Sequence, residues 1–142
     1  MLVSGRLAAY KDGLNCYESK VIHMRPLEAH INLANLRHNF QYLKSKHGNK
    51  TLAVIKANAY GHGSVQCANA LADLADGFAV ACIEEALTLR EAGVSLPIVL
   101  LEGVFEADEY ALIEQHDLWP VVQNETQLQA LLATDIKKPL TV

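Results

Sequence analysis

A lysine placed directly after an apolar run is a candidate nucleophile, and Lys56 follows Leu52-Ala-Val-Ile55. In a parallel α/β fold such a residue leaves the carboxyl end of a strand, where active sites are built. An apolar wall disfavours the ammonium form, and the neutral amine is the form that attacks an aldehyde to give a Schiff base. The residues that follow, Ala57-Asn-Ala-Tyr-Gly-His-Gly63, read as a loop. Gly61 and Gly63 permit close backbone approach, and the Tyr60 hydroxyl can bond an anion such as a phosphate beside the lysine. The plain alternatives are a strand-end lysine that reaches for solvent and glycines that only turn the chain. Residue types alone leave both readings open.

Other reactive residues form no comparable group. The six histidines, His23, His30, His38, His47, His62 and His116, show no metal-ligand spacing, so no metal site is expected. Glu84-Glu85 are adjacent, and neighbours on a helix diverge by about 100°. They are read as favourable charge at a helix N-terminus. Cys16, Cys67 and Cys82 are too few and too far apart for a disulfide framework, which favours a reducing compartment. The 142 residues are 51% hydrophobic and 20% charged with a net charge of −4, which gives no basic stripe for nucleic acid. No apolar stretch is long enough for a membrane span. Residues 1–23 lack the apolar segment of a secretory signal, so the cytoplasm is the expected location.

The elements that must position Lys56 recur with a regular beat. Apolar runs end near Ile55, Ala81, Leu101, Val122 and Val142, about 20 residues apart after the first interval. Their Val, Ile and Leu content predicts strands buried on both faces. Between them, Ala68, Leu71, Ala72 and Ala75 mark one helix, and Ala86, Leu89 and Arg90 mark a second, ended by Gly93. Asn124 and Gln127 read as a capping box opening a third helix with Leu128, Leu131 and Leu132. Upstream, Leu33, Leu36, Phe40 and Leu43 predict a helix closed by Gly48-Asn49, with a strand over 27–33 before it. Repeated strand–loop–helix units imply a parallel sheet with right-handed crossovers. Periodicity does not choose between an open doubly wound sheet and a closed barrel, although no GxGxxG fingerprint follows any strand.

The run AVIKANAYGHG (Ala53 to Gly63) resembles the cofactor-lysine motif of the pyridoxal-phosphate-dependent alanine racemases. FAVACIEEALTLREAG (Phe78 to Gly93), LPIVLLEG (Leu96 to Gly103) and NLRHNFQYLK (Asn35 to Lys44) resemble further segments of the same family, so the likeness spans residues 24–142 in order. The resemblance implies a parallel (β/α)8 TIM-type barrel of which this chain supplies about the first half. It implies that Lys56 forms the internal aldimine with pyridoxal 5′-phosphate and acts as one of two catalytic bases. Tyr60 would hydrogen-bond the cofactor phosphate, and Leu101, at the end of the third strand, would pack against the pyridine ring. The implied reaction interconverts L- and D-alanine, for D-alanine and peptidoglycan supply, in a homodimer.

The family's second base, a tyrosine from a C-terminal domain, matches no position here; Tyr10, Tyr17, Tyr42 and Tyr110 lie in other contexts. Residues 24–142 are accordingly read as the N-terminal part of a truncated barrel domain, inactive alone. Residues 1–23 are read as a leader that is non-native or disordered. Two other readings share the barrel and the lysine: a non-catalytic cofactor-carrier protein and a barrel-type decarboxylase for basic amino acids. Both resemble the segment after Lys56 less well.

Overall fold

A computed structural model of the chain describes residues 3–4 and 29–142. The chain divides into two compact units, Met1–Asn32 and Leu33–Val142. In the first, β1 (Val3–Ser4) pairs antiparallel with β2 (His30–Ile31). The rest of the expected leader lies outside the described residues. Of the strand expected over 27–33, residues 30–31 pair and Leu33 already opens a helix and packs on the core, while residues 27 and 28 lie outside the described residues.

The second unit alternates strand and helix. Its order is α1 (Leu33–His47), β3 (Leu52–Val54), α2 (Lys56–Tyr60), α3 (Ser64–Leu71), β4 (Gly77–Val80), α4 (Ile83–Glu91), β5 (Ile98–Leu100), α5 (Glu109–His116), β6 (Leu118–Pro120) and α6 (Glu125–Ala133). All strand pairs in it are parallel, and the spatial order β3-β4-β5-β6 is the sequence order. A doubly wound sheet reverses its order at a switch point; this sheet advances one way only, as a barrel does. Topology thus decides what the sequence periodicity left open.

Register assigns the two faces. Ala53, Phe78, Ile98 and Leu118 lie in one row, and Val80, Leu100 and Pro120 lie two residues on. All of these are buried. They meet Leu71 of α3, Ala86 and Leu89 of α4 and Ile113 of α5, none more than 1% exposed. The row between them, Val54, Ala79, Val99 and Trp119, belongs to the opposite face; Val54 is 47% exposed, and Val99 and Trp119 are half-buried. The expectation of strands buried on both faces therefore holds only for β4. The helices cover one side of the sheet, so β3, β5 and β6 alternate.

The end of α4 and the start of α6 follow the sequence closely, whereas α3 stops at Leu71 and leaves Ala72 and Ala75 of the expected helix beyond it. Gly93 (φ 85°) donates to the Arg90 carbonyl and Val94 N–H to Leu89, a Schellman closure of α4. Asn124 accepts from Gln127 N–H at 2.9 Å, as a capping box requires, but the Gln127 side chain does not return the bond. Its amide donates instead to the carbonyls of Glu102 and Val104 and accepts from Gln123 N–H. The fifth apolar run, residues 139–142, forms no strand. Lys137 and Lys138 N–H both donate to Glu114 of α5, and Leu140 packs on the core, so this segment is held by side chains rather than by a ladder.

Candidate functional site

Lys56 stands where the ladder stops. Ile55 N–H makes the last ladder bond, to the Ala79 carbonyl at 2.9 Å, and Ile55 is only 4% exposed. Lys56 itself is half-buried, so its amine can meet a solute. Extending the register by two residues sets Lys56 level with Ala81, Leu101 and Val121, on the open face and at the carboxyl rim of four strands. The burial pattern agrees: Ile55, Leu100 and Pro120 are buried, whereas Lys56 and Leu101 are half-buried and Val121 is exposed. With strands about 4.8 Å apart, Leu101 sits two strands from Lys56, about 10 Å across the rim. It lies one residue past β5 rather than in it, although its N–H still donates to Val80.

The chain after Lys56 turns left-handed. Ala57, Asn58, Ala59 and Tyr60 all have φ between 51° and 53°. For residues with a Cβ this conformation costs about 1–2 kcal/mol each, so the turn persists only because its surroundings hold it. The holding bonds are specific. Ala59 N–H returns to Ile55 at 2.9 Å, and Gly63 N–H reaches the Asn58 carbonyl at 2.9 Å. The Asn58 side chain accepts from Ser64 N–H at 2.8 Å, at the start of α3. His62 Nδ1 donates to the Ala59 carbonyl at 2.8 Å, a role for His62 in shaping the loop. Small side chains at 57 and 59 suit the crowded turn, and Asn is among the few residues that adopt this region readily. Gly61 (φ 85°) ends the turn, donating to the carbonyls of Ala57 and Asn58.

Tyr60 closes this turn and is 63% exposed. Lys56 and Tyr60 thus bound one five-residue element, and Leu101 shares the rim with them. The two described cysteines are poor nucleophiles. Burial pushes the thiol of Cys67 up, and burial with a hydrogen bond to Glu84 does the same to Cys82. Among the described residues no group of three or more His, Cys, Asp or Glu side chains could hold a metal ion.

The sequence model of the alanine racemase N-terminal domain matches residues 31–142. The chain belongs to this alanine racemase family. It is 65% identical over 119 residues to the alanine racemase of Neisseria meningitidis serogroup C, covering 84% of this chain and 34% of that protein. It is 60% identical over 119 residues to the alanine racemase of Pseudomonas taetrolens, covering 84% of this chain and 33% of that one. Among solved structures, the biosynthetic alanine racemase of Pseudomonas aeruginosa superposes with a TM-score of 0.72 at 49% identity, over 76% of this chain and 30% of that one. The chain spans about a third of the length of the curated relatives it matches.

The alanine racemase fold accounts for the one-way strand order: four of the eight strands of a TIM-type barrel are present, with the lysine at the carboxyl rim. Within that frame, sequence reasoning missed one residue. Glu85, read as helix-start charge, places Oε1 2.6 Å from Ala57 N and Oε2 2.9 Å from Ala81 N. No spacing rule reveals this, because the bond to Ala57 crosses 28 residues. Glu84, its neighbour, does fit the helix-start reading: it is exposed, and the Cys82 thiol holds its carboxyl below the usual range.

Proposed function

We propose that this chain carries the cofactor-lysine portion of an alanine racemase, in which Lys56 holds pyridoxal phosphate covalently. The observation that carries this reading is the placement of Lys56 at the carboxyl rim, on a left-handed turn braced from several sides. The residues present fit the group. An accessible amine, the exposed Tyr60 phenol and a glycine turn with open space at Gly61 supply an attachment point, a phosphate donor and room for a bulky anion. Once bound, the conjugated ring supplies an electron sink for a carbanion at Cα of the amino acid.

The chain's own residues divide the work. Lys56 Nζ would hold the cofactor through its aldehyde carbon and, when free, would take or return the proton at alanine Cα on one face. Tyr60 donates to a phosphate oxygen and Leu101 offers an apolar surface to the ring. Asn58, His62 and Gly61 orient the backbone between these groups. Inversion at Cα requires a proton delivered to the opposite face. Among the described tyrosines, Tyr42 lies on α1 and Tyr110 is 1% exposed with its hydroxyl donated to the Gln127 carbonyl. Lys56 supplies one base among the described residues, and we expect covalent capture by this chain and D-alanine supply for peptidoglycan from a homodimeric whole enzyme. A cytoplasmic location fits the free thiols of Cys67 and Cys82, and among the described residues no helix is long and apolar enough to cross a membrane. Histidine racemase from Leuconostoc mesenteroides superposes with a TM-score of 0.65 at 28% identity, so the fold alone does not set the substrate side chain.

The test is covalent trapping. Full chain incubated with pyridoxal phosphate, reduced with borohydride and mapped by peptide mass should carry the label on Lys56, and Lys56→Ala should lose it. Label scattered over surface lysines in both proteins would overturn the reading.

A further inference from the structure

Glu85 is the only described side chain whose carboxylate oxygens bond the backbone beyond two neighbouring strands, and one of the two bonds is made at the exit of Lys56. Oε1 takes Ala57 N–H, the first peptide after the lysine, and Oε2 takes Ala81 N–H, the first peptide after β4. Bonds from N–H to a carboxylate are short and strong for hydrogen bonds, and each oxygen here has its own donor. Lys56 is therefore gripped on both sides: Ile55 N–H is fixed to the Ala79 carbonyl, and Ala57 N–H is fixed to Glu85. Left-handed geometry begins at Ala57. That N–H lies in the peptide plane that leaves Lys56, so the carboxylate holds the orientation of this peptide at the entry of the left-handed turn. Glu85 sits in the first turn of α4, whose Ile83, Ala86 and Leu89 are locked in the core, so the anchor itself is rigid.

We propose that Glu85 is a positioning residue for Lys56: by bridging Ala57 N–H and Ala81 N–H it fixes the peptide that leaves Lys56 and with it the direction of the amine. This rests on the reading of Lys56 as the cofactor lysine. Glu85→Gln tests it, because the amide puts an NH2 donor in place of one of the two acceptor oxygens, facing an N–H group it cannot accept. Glu85→Asp keeps the carboxylate, and Arg90→Met serves as a control that weakens α4 without touching the turn.

Three measurements on the full chain read the outcome. Amide exchange at Ala57 and Ala81 should quicken at least tenfold in Glu85→Gln. Competitive acetylation without cofactor should show the reactivity of Lys56, relative to Lys137 and Lys138, changed at least threefold. Borohydride-fixed pyridoxyl label on Lys56 should fall at least tenfold relative to surface lysines, with partial recovery in Glu85→Asp. Arg90→Met, compared at a denaturant concentration giving the same folded fraction, should leave the Lys56 measurements unchanged. Unchanged exchange at Ala57, unchanged Lys56 reactivity in Glu85→Gln, or an equal loss in Arg90→Met would overturn the proposal. Absence of label on Lys56 in the unsubstituted chain would instead count against the cofactor reading; exchange and acetylation would still decide the role of Glu85.

Discussion

Replacing Gly103 by alanine separates two kinds of glycine requirement at the rim of the sheet. Gly103 follows β5 with φ 70°, and its Cβ would be built inside contact distance of the Val121 carbonyl oxygen and 2.9 Å from Gln127 Nε2. That amide nitrogen donates to Glu102 at 2.9 Å and to Val104 at 2.8 Å, the residues flanking the glycine. Three effects combine. The left-handed backbone costs alanine about 1 kcal/mol. Relieving the clash costs about 1–3 kcal/mol, and displacing the Gln127 bonds costs about 1 kcal/mol each. The expected destabilisation is thus about 4–6 kcal/mol, a large share of the 5–15 kcal/mol typical of a domain. Gly93 provides the reference: it is left-handed too (φ 85°), but nothing lies within 4 Å of its Cβ position, so Gly93→Ala should lose only about 1 kcal/mol. Urea unfolding followed by far-UV circular dichroism and by the single tryptophan, Trp119 in β6, measures both variants. Equal midpoints for the two variants would refute the argument that close approach, rather than backbone conformation, fixes Gly103.

Two further outcomes follow from other contacts. Asp73 is held down to about 2 by its hydrogen bond from Arg37, and Asp76 is lowered by Lys44 and by Thr51 N–H. Carboxyls lowered in the folded state add stability above their unfolded value of about 3.9, which is lost as pH falls through the folded value. Stability of the contacts that α1 makes through these pairs should therefore drop between about pH 4 and 2, and Asp73→Asn with Asp76→Asn should flatten that slope; an unchanged slope would exclude these pairs as its source. The Arg90 guanidinium donates to the carbonyls of Val94, Leu96, His116 and Asp117, joining the end of α4 to the end of α5. Arg90→Met should cost about 2–4 kcal/mol in urea unfolding, since several carbonyls lose a charged donor together; a loss under about 0.5 kcal/mol would show that water replaces it.

The sequence by itself determined several of the elements and the position of Lys56 after a strand. Local rules suffice for these: an apolar run ending at Ile55, helix spacing from Ala86 to Arg90, the glycine stop at Gly93 and the Asn124 cap each depend on neighbours a few residues apart. The motif from Ala53 to Gly63 likewise named Lys56 and Tyr60 before any contact was visible. Tertiary structure alone decided the one-way strand order, because pairing between β3, β4, β5 and β6 joins residues about 20 apart whose local patterns are alike. It also decided that residues 139–142 join no ladder, which depends on Glu114 of a preceding helix. The left-handed hand of Ala57 to Tyr60 runs against the intrinsic preference of three of its four residues and is maintained by bonds from elsewhere. Glu85 adds a bond from 28 residues away at the entry of this turn: a carboxylate that the linear pattern assigns to a helix terminus becomes, once α4 packs on β4 and β5, a partner of the peptide that follows Lys56.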